Sequence, residues 1–126
     1  MVSGSCLCGA VSFQIDAPLD DATACHCTQC RKQTGHYLVS AGVPKSAVTL
    51  QGAGDLAWYH ASDKARRGFC RVCGSTLFWE PLARDRTWVA LGAIEAPSGA
   101  QLARHIFVAD KGDYYDLTDG LPQNPQ

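Results

Sequence analysis

The sequence predicts an all-β fold built mainly from antiparallel sheets. Short runs of alternating apolar residues recur along the chain, turn-forming stretches separate them, and no run keeps a helical period beyond a single turn. The 126 residues, 46% of them hydrophobic and 18% charged, suit one modest core. No low-complexity segment, charge block or linker divides them, so residues 1–126 are read as a single domain.

The strands follow from pattern. In "AVSFQI", Val11, Phe13 and Ile15 share one face while Ser12 and Gln14 take the other, which describes a half-buried strand. Comparable runs are "YLVSAGV" (37–43), "AVTLQ" (47–51), "DLAWYH" (55–60), "TLFWE" (76–80), "TWVALGAI" (87–94) and "RHIFVA" (104–109). The intervening "APLDD", "VPKS", "GAGD", "ASDK", "APSG" and "DKGD" are turn signals. One helical turn is expected around Thr28–Thr34. Short strands at this spacing form a sandwich, a barrel or a tent of sheets.

Charge excludes some partners. A net charge of -1 gives no electrostatic footprint for nucleic acid or an anionic membrane surface. The opening "MVSGSCLCGAVSF" has neither a basic segment nor an unbroken apolar one, so no signal peptide is expected. No apolar run reaches membrane-spanning length. A reducing, cytoplasmic location is the expectation.

Seven cysteines are the most informative feature. An odd number leaves a thiol over in any fully paired disulfide scheme, and close spacing without export signals favours metal or catalysis. They fall into three groups: Cys6 and Cys8; Cys25, Cys27 and Cys30; Cys70 and Cys73. The first and last groups each end in Cys-Gly, with Gly9 and Gly74. Glycine takes positive φ without penalty, which lets a zinc knuckle turn its backbone N–H groups toward thiolate sulfurs. Cys6, Cys8, Cys70 and Cys73 are therefore read as a four-thiolate structural zinc site.

Cys25, Cys27 and Cys30 lack both the glycine and a fourth cysteine. Three protein ligands with an open position describe catalytic zinc. Alternatives stand beside that reading: His26, His36, His60 or His105 closing the site as a fourth ligand, or a metal-free redox cluster with a Cys27–Cys30 disulfide. A three-thiolate zinc is a weak Lewis acid suited to a soft fourth ligand, and a substrate thiol fits. A thiol held there ionises at neutral pH and can attack a small aldehyde, forming a carbon–sulfur bond, or release the adduct in reverse.

Together "SCLCGAVSF", "ACHCTQCRKQTG" and "RGFCRVCGSTLFW" resemble the glutathione-dependent formaldehyde-activating enzyme family, also called the centromere protein V/Gfa domain. The closing "HIFVADKGDYYDLTDGLPQ" is similar to the last segment of short bacterial members. The resemblance runs from about Ser5 to Gln123. It implies a β-tent fold with two zinc ions, one on Cys6, Cys8, Cys70 and Cys73 and one on Cys25, Cys27 and Cys30. It also implies a carbon–sulfur lyase of the S-(hydroxymethyl)glutathione synthase type, with glutathione and formaldehyde as substrates. A non-catalytic zinc-stabilised binding module is the alternative function. A methionine sulfoxide reductase role, known on the same fold, wants a resolving thiol pair that the spacing does not supply.

Arg31, Lys32, Arg66, Arg67 and Arg71 flank the cysteine groups and are candidates for the carboxylates of glutathione, set against ordinary surface positions. Phe78 and Trp79 should face opposite sides of their strand, leaving one free to line a pocket. His36 and Tyr37 are candidate proton donors, set against core or surface roles.

Overall fold

The computed structural model describes residues 1–126. It is an all-β structure of two sheets with one short helix, as the alternation predicts. A three-stranded sheet joins β1 (Val2–Ser5), β2 (Ser12–Ile15) and β5 (Val48–Gln51) in that order. The larger sheet comprises β3 (Ala22–Cys25), β4 (Leu38–Pro44), β6 (Leu56–Tyr59), β7 (Ala65–Cys70), β8 (Thr76–Pro81), β9 (Arg86–Ala90) and β10 (Leu102–Ile106). Its seven strands run in the order β10-β3-β4-β9-β8-β7-β6. Only the β10–β3 pair is parallel, with His105 opposite Ala24 and Ile106 opposite Cys25.

The core forms where the two sheets meet. Val11, Phe13 and Ile15 are each at most 2% exposed, while Gln14 faces solvent. The Phe13 ring meets Phe78 of the other sheet edge-on at 5.3 Å, a favoured aromatic geometry that ties the two sheets together. Phe78 is buried in this core, whereas its neighbour Trp79 packs against a second, smaller cluster of Cys30, Leu38 and Ala90. The opposite facing of these two aromatics holds.

Three strands escape the sequence pattern. β1 is "VSGS", nearly without bulky residues; a Cβ on its Gly4 would lie 2.3 Å from the Ala93 carbonyl. β3 is "ATAC", whose inward residues are the small Ala22 and Ala24. β7 is "ARRGFC", whose arginines mask a strand that buries Arg67, and whose Gly68 makes room for the Trp58 ring. Two expected runs also shift. Residues 91–93 leave the predicted 87–94 strand as a 3-10 turn. The last strand ends at Ile106, because Phe107 takes a left-handed conformation (φ 54) before another 3-10 turn.

The helix α1 spans Thr28–Thr34, matching its expected position. The Cys27 side chain caps its first turn by accepting from the Cys30 N–H at 3.4 Å. Gly35 (φ 85) closes it with its N–H on the Arg31 carbonyl. No helix is long and apolar enough to cross a membrane.

Candidate metal centres and active-site cavity

All seven cysteines are free thiols, and they gather into two clusters. Cys6, Cys8, Cys70 and Cys73 form one, their sulfurs all within 4.8 Å of each other. The separations of 3.7 Å for Cys6–Cys8 and 3.8 Å for Cys8–Cys70 match the ~3.8 Å edge of a tetrahedron with ~2.3 Å zinc–sulfur bonds. Gly9 (φ 83) and Gly74 (φ 80) turn the chain after each pair. Their N–H groups return to the carbonyls of Cys6 and Cys70. Val11 N–H then donates to Cys6 Sγ at 3.3 Å, and Val72 and Cys73 N–H to Cys70 Sγ at 3.4 and 3.5 Å. Backbone donors aimed at sulfur favour the thiolate, and the Ser75 hydroxyl helps hold the Cys73 thiol down to about 5. The donor set fits a four-thiolate metal.

The second cluster is Cys25, Cys27 and Cys30, again with all sulfurs within 4.8 Å. Cys25 ends β3, Cys27 caps α1 and Cys30 lies buried one turn into the helix, so a strand-to-helix corner delivers three sulfurs to one point. They interact strongly: a hydrogen bond from Cys25 holds the Cys27 thiol far down, and that same bond pushes Cys25 far up. These opposite shifts favour the charge on Cys27, and a divalent cation bound here would complete the set by deprotonating the other two.

Arg67 is the group opposite this charge. It is only 4% exposed, and its Nη1 and Nη2 lie 3.5 and 3.6 Å from Cys30 Sγ. Gln33 and Gln29 accept from the same two nitrogens at 3.0 and 3.2 Å. The surface reading of this arginine is thereby corrected: a cation buried this deeply needs a partner, and the thiolate cluster supplies one. Its Nε is buried without a hydrogen-bond partner.

The three cysteines and Arg67 line a cavity of about 640 Å³, within the usual range for small-molecule sites. Trp79 and Trp88, perpendicular at 5.4 Å, form an apolar wall, and Phe107 lies among the lining residues. The lining also carries Lys64, Arg84 and Asp110. No ion pair engages any of these three. Arg84 rests over the Trp88 ring at 5.2 Å.

Several candidates lie elsewhere. Arg66 pairs with Glu80 and stacks on Trp58, and Arg71 pairs with Asp55. Arg31 and Lys32 are outside the lining, as are His36 and Tyr37, so these two do not face the cavity as proton donors. His26 is fully buried with both ring nitrogens engaged, by Tyr115 at 2.6 Å and His105 at 2.9 Å. Burial first, then the neighbouring His105, holds it neutral, with its pKa lowered to about 4. Neither His26 nor His105 has a ring nitrogen free for a fourth ligand, because the other nitrogen of His105 meets Asp119 at 2.7 Å. Sequence reasoning missed Lys64 and Arg84, which sit in turns with no motif around them.

A model of the family described as "Glutathione-dependent formaldehyde-activating enzyme" matches residues 1–110. A Halomonas elongata protein named for the same activity is 26% identical, over 93% of this chain and 81% of its own. A Schizosaccharomyces pombe protein named as an uncharacterized lyase is 25% identical, over 92% of this chain and 85% of its own. Among solved structures, that of a Rhodobacter sphaeroides protein aligns with a TM-score of 0.64 and 28% identity, covering 75% of this chain and 88% of that one.

Proposed function

The chain belongs to the glutathione-dependent formaldehyde-activating enzyme family, and from that premise we propose that it joins a thiol to formaldehyde, or splits the adduct, in the cavity above Cys25, Cys27 and Cys30. Zinc is the proposed ion at both cysteine clusters: structural on Cys6, Cys8, Cys70 and Cys73, catalytic on Cys25, Cys27 and Cys30. The observation that carries this reading is the convergence of three thiols, with no fourth protein ligand, on a cavity large enough for a substrate.

Zinc held by three thiolates would offer its fourth position to a substrate thiol and lower that thiol's pKa. The protein's own residues account for the rest. Arg67 offsets the negative charge beneath the cavity, so that an anionic sulfur can approach. Lys64 and Arg84, free of ion pairs, are placed to receive carboxylates of a glutathione-like thiol. Trp79 and Trp88 present apolar faces that displace water from the reacting groups.

In the forward direction the thiolate sulfur attacks the aldehyde carbon and a carbon–sulfur bond forms. The carbonyl π pair moves to oxygen, which takes a proton and becomes the hydroxyl of a hydroxymethyl thioether. The lyase direction reverses each movement. Holding both reactants together is the main source of rate, since the reaction is bimolecular in solution.

Exchange NMR of glutathione with formaldehyde tests the proposal. Catalytic amounts of protein should accelerate interconversion with S-(hydroxymethyl)glutathione, and Cys27→Ser should return the rate to that of the uncatalysed reaction. Equal rates with and without protein would leave the binding-module reading.

A further inference from the structure

Beside the metal loop lies a hydrogen-bond chain, built on two buried histidines, that the proposed chemistry does not use. It runs Tyr115, His26, His105, Asp119, with links of 2.6, 2.9 and 2.7 Å. Both rings are at most 1% exposed. A carboxylate only accepts, so His105 Nε2–H donates to Asp119. With its proton on Nε2, His105 presents the Nδ1 lone pair and accepts from His26 Nε2–H, which leaves His26 Nδ1 to accept from the Tyr115 hydroxyl. One direction satisfies every group along the chain.

Its placement ties two parts of the molecule together. His26 stands between the ligand candidates Cys25 and Cys27, and its own N–H donates to the Ile106 carbonyl. His105 exchanges backbone hydrogen bonds with the Pro122 carbonyl and the Asn124 N–H. Asp119 is itself fixed by the Leu121 N–H at 3.0 Å. Tyr115 and Asp119 both lie beyond residue 110, where the family match ends.

We infer that the C-terminal segment is a strut for the second metal centre: Asp119 and Tyr115 act through His105 and His26 as positioning residues that hold Cys25 and Cys27 in ligand geometry. The inference rests on the proposal that these cysteines bind metal. Outer partners that orient a ligand commonly change metal affinity by about 10–100-fold when removed, even though they touch no metal.

Cobalt(II) titration of metal-free, reduced protein is the test, read from the thiolate–cobalt charge-transfer and ligand-field bands. A Cys27→Ser background isolates the bands of the four-cysteine site. In wild type two cobalt ions should bind. Asp119→Asn and Tyr115→Phe should each weaken the three-cysteine site by about tenfold and shift its ligand-field bands, leaving the four-cysteine bands unchanged; Asp119→Glu, which keeps a carboxylate, should recover part of the loss. Two cobalt ions bound with unaltered affinity and spectrum in both variants would overturn the strut, even if the melting temperature falls. A single cobalt in wild type would overturn the metal reading and the strut with it.

Discussion

The Arg67 guanidinium lies 3.5 Å from the Cys30 sulfur, buried in the floor of the cavity where two further cysteine sulfurs converge. A buried cation and a thiolate cluster each pay a desolvation cost that the other offsets. Replacing Arg67 by Met removes one partner and strands the other. The expected result is a loss of zinc affinity at the three-cysteine site of about tenfold or more, with the four-cysteine site unaffected. Competition with a chromophoric chelator measures both sites in one titration.

Selectivity at the rim should be electrostatic. Lys64 and Arg84 are exposed and carry no ion pair, so reversing both to Glu should leave the fold intact. The double variant is expected to raise KM for glutathione by about tenfold, with a smaller change for a neutral thiol such as 2-mercaptoethanol. Raising the ionic strength should weaken glutathione binding to wild type in the same sense. Steady-state kinetics with the two thiols separates charge recognition from damage to the site.

Acid should destabilise the protein partly through His26. Its pKa falls from 6.5 to about 4 on folding, chiefly through burial. Between those values the unfolded chain binds the proton and the native ring does not, so stability drops as pH falls from about 6.5 toward 4. His26→Gln removes that contribution. Urea unfolding at several pH values in this window should show a shallower pH slope for the variant than for wild type. Equal slopes would contradict the assignment.

The sheet-to-sheet contact should dominate stability. Phe13 is 2% exposed and touches Phe78 across the core. Phe13→Ala is expected to cost about 3–5 kcal/mol, read from the urea midpoint. Gly74→Ala, with open space around its Cβ but φ at 80, should cost only about 1–2 kcal/mol of backbone strain.

What the sequence made legible was local. Alternation located β2, and the glycines after Cys8 and Cys73 sorted the cysteines into two groups that the fold then brings together. The helical turn expected around Thr28–Thr34 is α1, and the fold ends it at Gly35. What stayed hidden was long-range or masked. His26 and His105 are 79 positions apart, and nothing in either neighbourhood signals the other. Arg67 reads as a surface charge until the strand containing it is seen to face the cysteines. Lys64 and Arg84 become neighbours of the site only through the pairing of β7, β8 and β9.

The most direct test of the central claim is zinc content per chain in freshly purified, reduced protein, followed by titration with glutathione. The account predicts two zinc ions in wild type and one in Cys27→Ser, with glutathione perturbing only the ion that Cys27→Ser removes. One zinc per wild-type chain, unmoved by glutathione, would contradict it.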